Sequence, residues 1–188
     1  MVLIIEGLHY NKQMTYALAV GLGNPGPDYE STYHNAGRMA LDVWASREEG
    51  DAAFRRHGDL FEYLKGSLRI FVRPLTFMNE SGLAVREALK AFNVEPGRMI
   101  VLHDESDLAL GSFRLSHGGA SAGHKGIQSV IDHIHTDAFG RGRIGVRDPA
   151  ERGRKKAGDF VLNPMPPADI ALIQGAIDEL IAALEENN

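Results

Sequence analysis

The chain alternates short apolar runs with longer stretches in which apolar residues return every three or four positions. Residues 16–21 form an apolar run that stops at glycine, the length and flank of a buried strand. Asn24-Pro25-Gly26-Pro27 then breaks the pattern as a turn or extended loop, because two prolines and a glycine do not start an ordinary helix. Met39, Ala40, Val43 and Trp44 share one helical face, and residues 61–65 and 67–72 read as a hairpin around Gly66. Val85, Ala88, Leu89 and Phe92 carry the spacing of an amphipathic helix. Residues 99–103 read as a core strand and 112–115 as a short one after Gly111. Ile127, Val130, Ile131 and Ile134 repeat the helical spacing, with Gly123 at the helix start, and 143–147 is another strand. A last helix carries Ile170, Ile173, Ile177, Leu180, Ile181 and Leu184, opened by Pro166-Pro167. Strands alternating with helices, one hairpin interposed, predict a single-domain α/β fold: a twisted mixed β-sheet flanked by helices on both faces.

Composition narrows the class. A length of 188 residues suits one domain, and 44% apolar with 24% charged residues argues against a disordered chain. The absence of cysteine excludes disulfides, thiolate metal sites and cysteine nucleophiles, and fits a reducing, cytoplasmic setting. The early apolar run at 2–5 is cut by Glu6, too short for a signal segment or a membrane span, so no membrane partner is expected.

The net charge of −5 is unevenly distributed. Residues 1–110 carry a net −4, residues 111–156 a net +5 and residues 157–188 a net −6. A basic stretch inside an acidic protein marks a localised anion site or, more plainly, a solvated loop, since Arg152, Arg154, Lys155 and Lys156 lie near glycines.

Two glycine motifs fail on chemistry. Gly21-Leu22-Gly23-Asn24-Pro25-Gly26 matches a dinucleotide fingerprint, but prolines flank the glycine that must sit inside a helix. Gly119-Ala120-Ser121-Ala122-Gly123 matches a nucleophile elbow, but His133 and His135 lie on the next helix and cannot return to Ser121. Those histidines are two apart and point to different sides, and no standard zinc set exists, so no metal is expected.

What remains is a group of polar residues at strand ends and in loops. Asn24 follows the first strand, and His34 and Asn35 close its loop. Phe77, Met78 and Asn79 open a helix, and His103-Asp104-Glu105 ends a strand. An Asx turn, caps and a helix-entry carboxylate would explain these positions one at a time. A crevice at the carboxyl ends of the strands explains them together, with a histidine near a carboxylate as general base.

These residues carry a resemblance. Val20-Gly21-Leu22-Gly23-Asn24-Pro25-Gly26 with Tyr29, Thr32-Tyr33-His34-Asn35-Ala36-Gly37, Thr76-Phe77-Met78-Asn79-Glu80-Ser81-Gly82 and His103-Asp104-Glu105 closely resemble bacterial-type peptidyl-tRNA hydrolase, in order and spacing. The resemblance runs from about Thr15 to Leu184, with residues 1–13 an N-terminal extension or a misassigned start before a domain of residues 14–188. It implies a monomeric enzyme, without metal or cofactor, that cleaves the ester joining a stalled peptide to tRNA. The resemblance makes His34 the general base and Asp104 its partner. It makes Asn24 the reader of the peptide carbonyl, and Asn79, with Met78, a substrate contact. Tyr29 and Phe77 match contacts to the tRNA end, and Arg114, Arg141 and Arg143 match phosphate contacts. Gly123-His124-Lys125 begins a helix whose free N–H groups favour an anion.

The chain departs from the family pattern at Lys125, a position the resemblance makes substrate-binding, where the usual asparagine contacts substrate and helps place water, so slower chemistry or tighter tRNA binding is expected. It departs again at Ser116, often basic, and at Tyr33, where arginine usually precedes the histidine. A non-catalytic RNA-binding relative with the same fold is the competing expectation, and Lys125 is the feature in its favour.

Overall fold

Seven strands run in the order β2-β3-β4-β1-β5-β7-β6. They are β1 (Leu18–Gly21), β2 (Arg55–His57), β3 (Phe61–Lys65), β4 (Ile70–Pro74), β5 (Met99–Ala109), β6 (Phe113–His117) and β7 (Gly140–Arg147). The computed structural model describes residues 16–151 and 157–186. The expected extension at 1–13 and the basic residues Arg152, Arg154, Lys155 and Lys156 lie outside that range. The four central strands, β4-β1-β5-β7, are parallel, while β2, β3 and β6 add antiparallel pairings at the two sides.

Alternation along the strands divides the core into two layers. Ala19, Phe71, Ile100, Leu102 and Ile144 face α1 (Ala36–Glu49) and α4 (Pro167–Glu185). Leu18, Val20, Val72, Met99 and Val101 face α2 (Ser81–Phe92) and α3 (Lys125–Ile134). Central strands buried on both faces read as unbroken apolar runs, which is why 16–21 and 99–103 are legible in the sequence. The mixed sheet with helices on both faces agrees with the sequence expectation.

Strand bounds shift by a few residues in several places, β7 beginning at Gly140 and β4 running from Ile70 to Pro74, and further differences bear on the site. β5 does not end at His103-Asp104-Glu105 but runs on to Ala109 through an irregularity between Glu105 and Ala109, because β7 continues to pair with it. α3 begins at Lys125 rather than near Gly123. β2 is a three-residue edge strand of Arg55, Arg56 and His57, too short and polar to show alternation.

Gly37 sets how closely helix and sheet approach. A Cβ there would overlap the carbonyl oxygen of Leu102 on β5. The first turn of α1 can therefore lie directly on β5, and His34 just before it meets Asp104.

Candidate active site

Loop 24–35 is closed by a reciprocal asparagine pair. The Asn24 N–H donates to Asn35 Oδ1 at 2.8 Å, and Asn35 Nδ2 donates back to the Asn24 carbonyl at 3.0 Å. The Asn24 side chain is anchored separately, because its Oδ1 accepts the Met78 N–H at 2.8 Å. That bond assigns the amide orientation and leaves Asn24 Nδ2 as a donor toward the cleft.

His34 sits in the short 3-10 turn Tyr33–Asn35, and its backbone N–H donates to Val161 O at 2.8 Å. Its Nδ1 lies 2.8 Å from Asp104 Oδ1. An ionised carboxylate only accepts, so Nδ1 carries the proton and Nε2 is left bare on the cleft side.

The same Asp104 oxygen receives a second imidazole. His124 Nε2 lies 2.8 Å from Asp104 Oδ1, while its Nδ1 accepts the N–H groups of Gly126 and Ile127 at 3.1 and 3.2 Å. His124 thus holds its proton on Nε2 and serves as the N-cap of α3. This corrects the expectation of free N–H groups there, since the imidazole occupies two of them.

Asp104 is 2% exposed, so these bonds decide its charge state. Burial would raise its pKa, but His124 and His34 together hold the carboxyl well below its ordinary range. His103 lies under this pair, edge-on to His124 with ring centroids 4.9 Å apart. Its Nδ1 is 2.7 Å from the Asp104 carbonyl, and burial, aided by the neighbouring His124, pushes its pKa well down.

Asn24, His34, Asp104 and His124 line a cleft of about 500 Å³. Tyr29 and Phe77 meet edge to face at its rim, 6.2 Å between centroids. Phe77 and Leu162 are 51% and 52% exposed, which leaves large apolar faces available to a ligand. Met78 is buried against the start of α3, where a Cβ on Gly126 would overlap its sulfur, while Asn79 and Lys125 stand exposed at the edge.

The expected basic residues do not all reach solvent. Arg141 is 4% exposed, and its guanidinium donates to the carbonyls of Gly119 and Ala120. It holds that loop from beneath, which corrects its expected role as a phosphate contact. Arg143 is partly buried and donates through Nε and Nη2 to Glu105 Oε2 at 3.0 and 2.7 Å. Arg114 lies opposite Arg143 across the β6–β7 pair, on the same face.

Sequence reasoning missed His124 as a partner of Asp104. The available signal was its place between Gly123 and the first apolar residue of a helix, an N-cap position. The departures also find places. Tyr33 donates through its hydroxyl to Asp169 in α4 and packs edge-on against Phe160, and Ser116 faces Arg141 across β6 and β7. His34, Asp104 and His124 put three potential metal ligands within 4.8 Å of one another. Both ring nitrogens facing Asp104 carry protons in this arrangement, so a cation there would have to displace both.

A histidine paired with a buried carboxylate, its other ring nitrogen unbonded beside a cleft that also holds amide side chains, is an arrangement suited to proton uptake. The sequence model of the peptidyl-tRNA hydrolase family matches residues 18–187. The peptidyl-tRNA hydrolase of Symbiobacterium thermophilum is 42% identical over 176 residues, 89% of this chain and 90% of that one. That of Sorangium cellulosum is 38% identical over 171 residues, 90% of this chain and 77% of that one. A crystal structure of a single-substitution variant of the Acinetobacter baumannii enzyme superposes with a TM-score of 0.82 at 31% identity, covering 95% of this chain and 90% of that one. The chain belongs to the peptidyl-tRNA hydrolase family and is a hydrolase of peptidyl-tRNA.

Proposed function

We propose that His34 is the general base of this reaction and that the cleft holds the ester between the peptide and the terminal ribose. His34 Nε2 takes a proton from water as the water oxygen attacks the ester carbonyl. Asp104 stabilises the imidazolium that forms. When the tetrahedral intermediate collapses, the carbon–oxygen bond to ribose breaks and the imidazolium returns the proton to the departing ribose oxygen. Asn24 Nδ2 donates to a carbonyl of the peptide, a group that a free aminoacyl ester lacks at that position, and Asn79 binds near the scissile carbonyl. Tyr29 and Phe77 pack against the tRNA end, and Arg114 and Arg143 supply positive charge for its phosphates. The observation that carries this reading is the 2.8 Å bond between His34 Nδ1 and Asp104, which leaves Nε2 bare on the cleft.

The proposal includes a monomer that needs no metal and acts in the cytoplasm. No helix among the described residues is long and apolar enough to cross a membrane, which fits that setting.

His34→Ala tests the reading on N-acetyl-aminoacyl-tRNA, with unblocked aminoacyl-tRNA as control. Removing a general base lowers kcat by roughly 10²–10⁴-fold. Cleavage at the wild-type rate would falsify the assignment. Salt-sensitive tRNA binding by the wild-type protein without cleavage would instead identify an RNA-binding relative.

A further inference from the structure

The cleft is lined by two carboxylates, Asp104 and Glu105, and by one lysine or arginine among the described residues, Lys125. Both acids are occupied, Asp104 by His34 and His124 and Glu105 by Arg143. Lys125 is exposed, and no ion pair within the described residues engages it. It is also the first residue of α3, where a cation opposes the helix dipole. An unpaired cation in an unfavourable local position, at the rim of the cleft that takes the substrate, points to an anion supplied by the substrate.

The chemistry of the substrate says which anion. The reacting ester hangs from the terminal ribose, and that nucleotide's own 5′-phosphate lies one ribose width away. Lys125 directly follows His124, which shares Asp104 with the proposed base, so the residue starts close to the reacting centre. Its four-carbon stem carries a point charge outward from there. The exposed faces of Phe77 and Leu162 suit the uncharged parts of the substrate.

We infer that Lys125 is a specificity-determining residue that pairs with the last phosphodiester of the tRNA 3′ end. The inference rests on the preceding reading of the cleft. It makes affinity depend on the strand end and lets the enzyme distinguish a nucleotide-borne ester from an ester on an uncharged alcohol.

The test pairs two substrates with three proteins. One substrate is N-acetyl-aminoacyl-tRNA, and the other is the same molecule with its last phosphodiester replaced by a neutral methylphosphonate. In the wild-type protein, neutralising that linkage should lower kcat/KM by about tenfold, the scale of a charge-assisted hydrogen bond. Lys125→Gln should bring the ratio between the two substrates close to one, and Lys125→Arg should restore it. The salt dependence of KM for the native substrate should lose about one unit of slope in Lys125→Gln. Equal cleavage of both substrates by the wild-type protein would overturn the inference. So would a loss in Lys125→Gln that falls equally on both, which would place the ammonium at the ester carbonyl. Failure of the wild-type protein to cleave the native substrate would instead count against the reading of the cleft itself.

Discussion

His124 makes two separable contributions, one through each ring nitrogen. Nδ1 caps α3, and Nε2 donates to the carboxylate that holds His34. Asparagine retains an oxygen that can accept from the helix N–H groups, whereas alanine retains neither function. His124→Ala should cost about 1 kcal/mol of stability with the lost cap. His124→Asn should keep most of that stability yet still lose activity, by about tenfold, because Asp104 gives up a donor. Urea melts and initial rates on one preparation separate the two effects. Equal stability losses in both variants would show that Nδ1 does not cap the helix. Full activity in both would show that Asp104 needs only His34.

At the scale of the element, the site depends on how closely α1 approaches β5. Gly37→Ala forces a methyl group into the Leu102 carbonyl and should destabilise the fold by about 1–3 kcal/mol. The shift of α1 it requires also moves His34 away from Asp104, so activity should fall further than the loss of folded protein explains. A thermal melt combined with kcat per folded molecule checks this. An unshifted midpoint would mean the helix can retreat without strain.

This close approach is not legible in the sequence, because Gly37 looks like any small residue until a neighbouring backbone is known. The helices are legible where apolar residues recur on one face, as in Val85, Ala88 and Leu89, all buried against the sheet. Asn24, His34, Asn79 and Asp104 stand out by their places near strand ends and turns, and the family resemblance sharpens their roles. His124 escapes sequence reasoning because its partner lies 20 residues away on another element. Arg141 misleads it because charge counted along a chain does not reveal which guanidinium turns inward to backbone carbonyls.

Over the whole molecule, the buried imidazole of His103 gives stability a direction with pH. In the unfolded chain this ring takes a proton near pH 6.5. In the folded protein, burial and the neighbouring His124 depress its pKa well below that value, so the ring stays neutral. Between the two values the unfolded state binds more protons, and acidification therefore favours unfolding. The contribution is fully present above about pH 6.5 and is lost as pH falls toward the folded value. Asp104 adds a second loss in the same direction. Its folded pKa is also lowered, so its stabilisation is present above about pH 3.9 and disappears below it. The His103 loss sets in at higher pH, from about 6.5 downward, than the Asp104 loss, from about 3.9 downward, so His103→Phe should act at the upper end. The urea midpoint of the wild-type protein should fall between pH 7.5 and 5.5, and the variant should fall by less across the same interval. The rest of the chain is common to both proteins, so the difference between the two slopes reports on His103. A parallel fall in the two proteins would show that His103 accepts its proton as readily in the folded protein as in the unfolded chain.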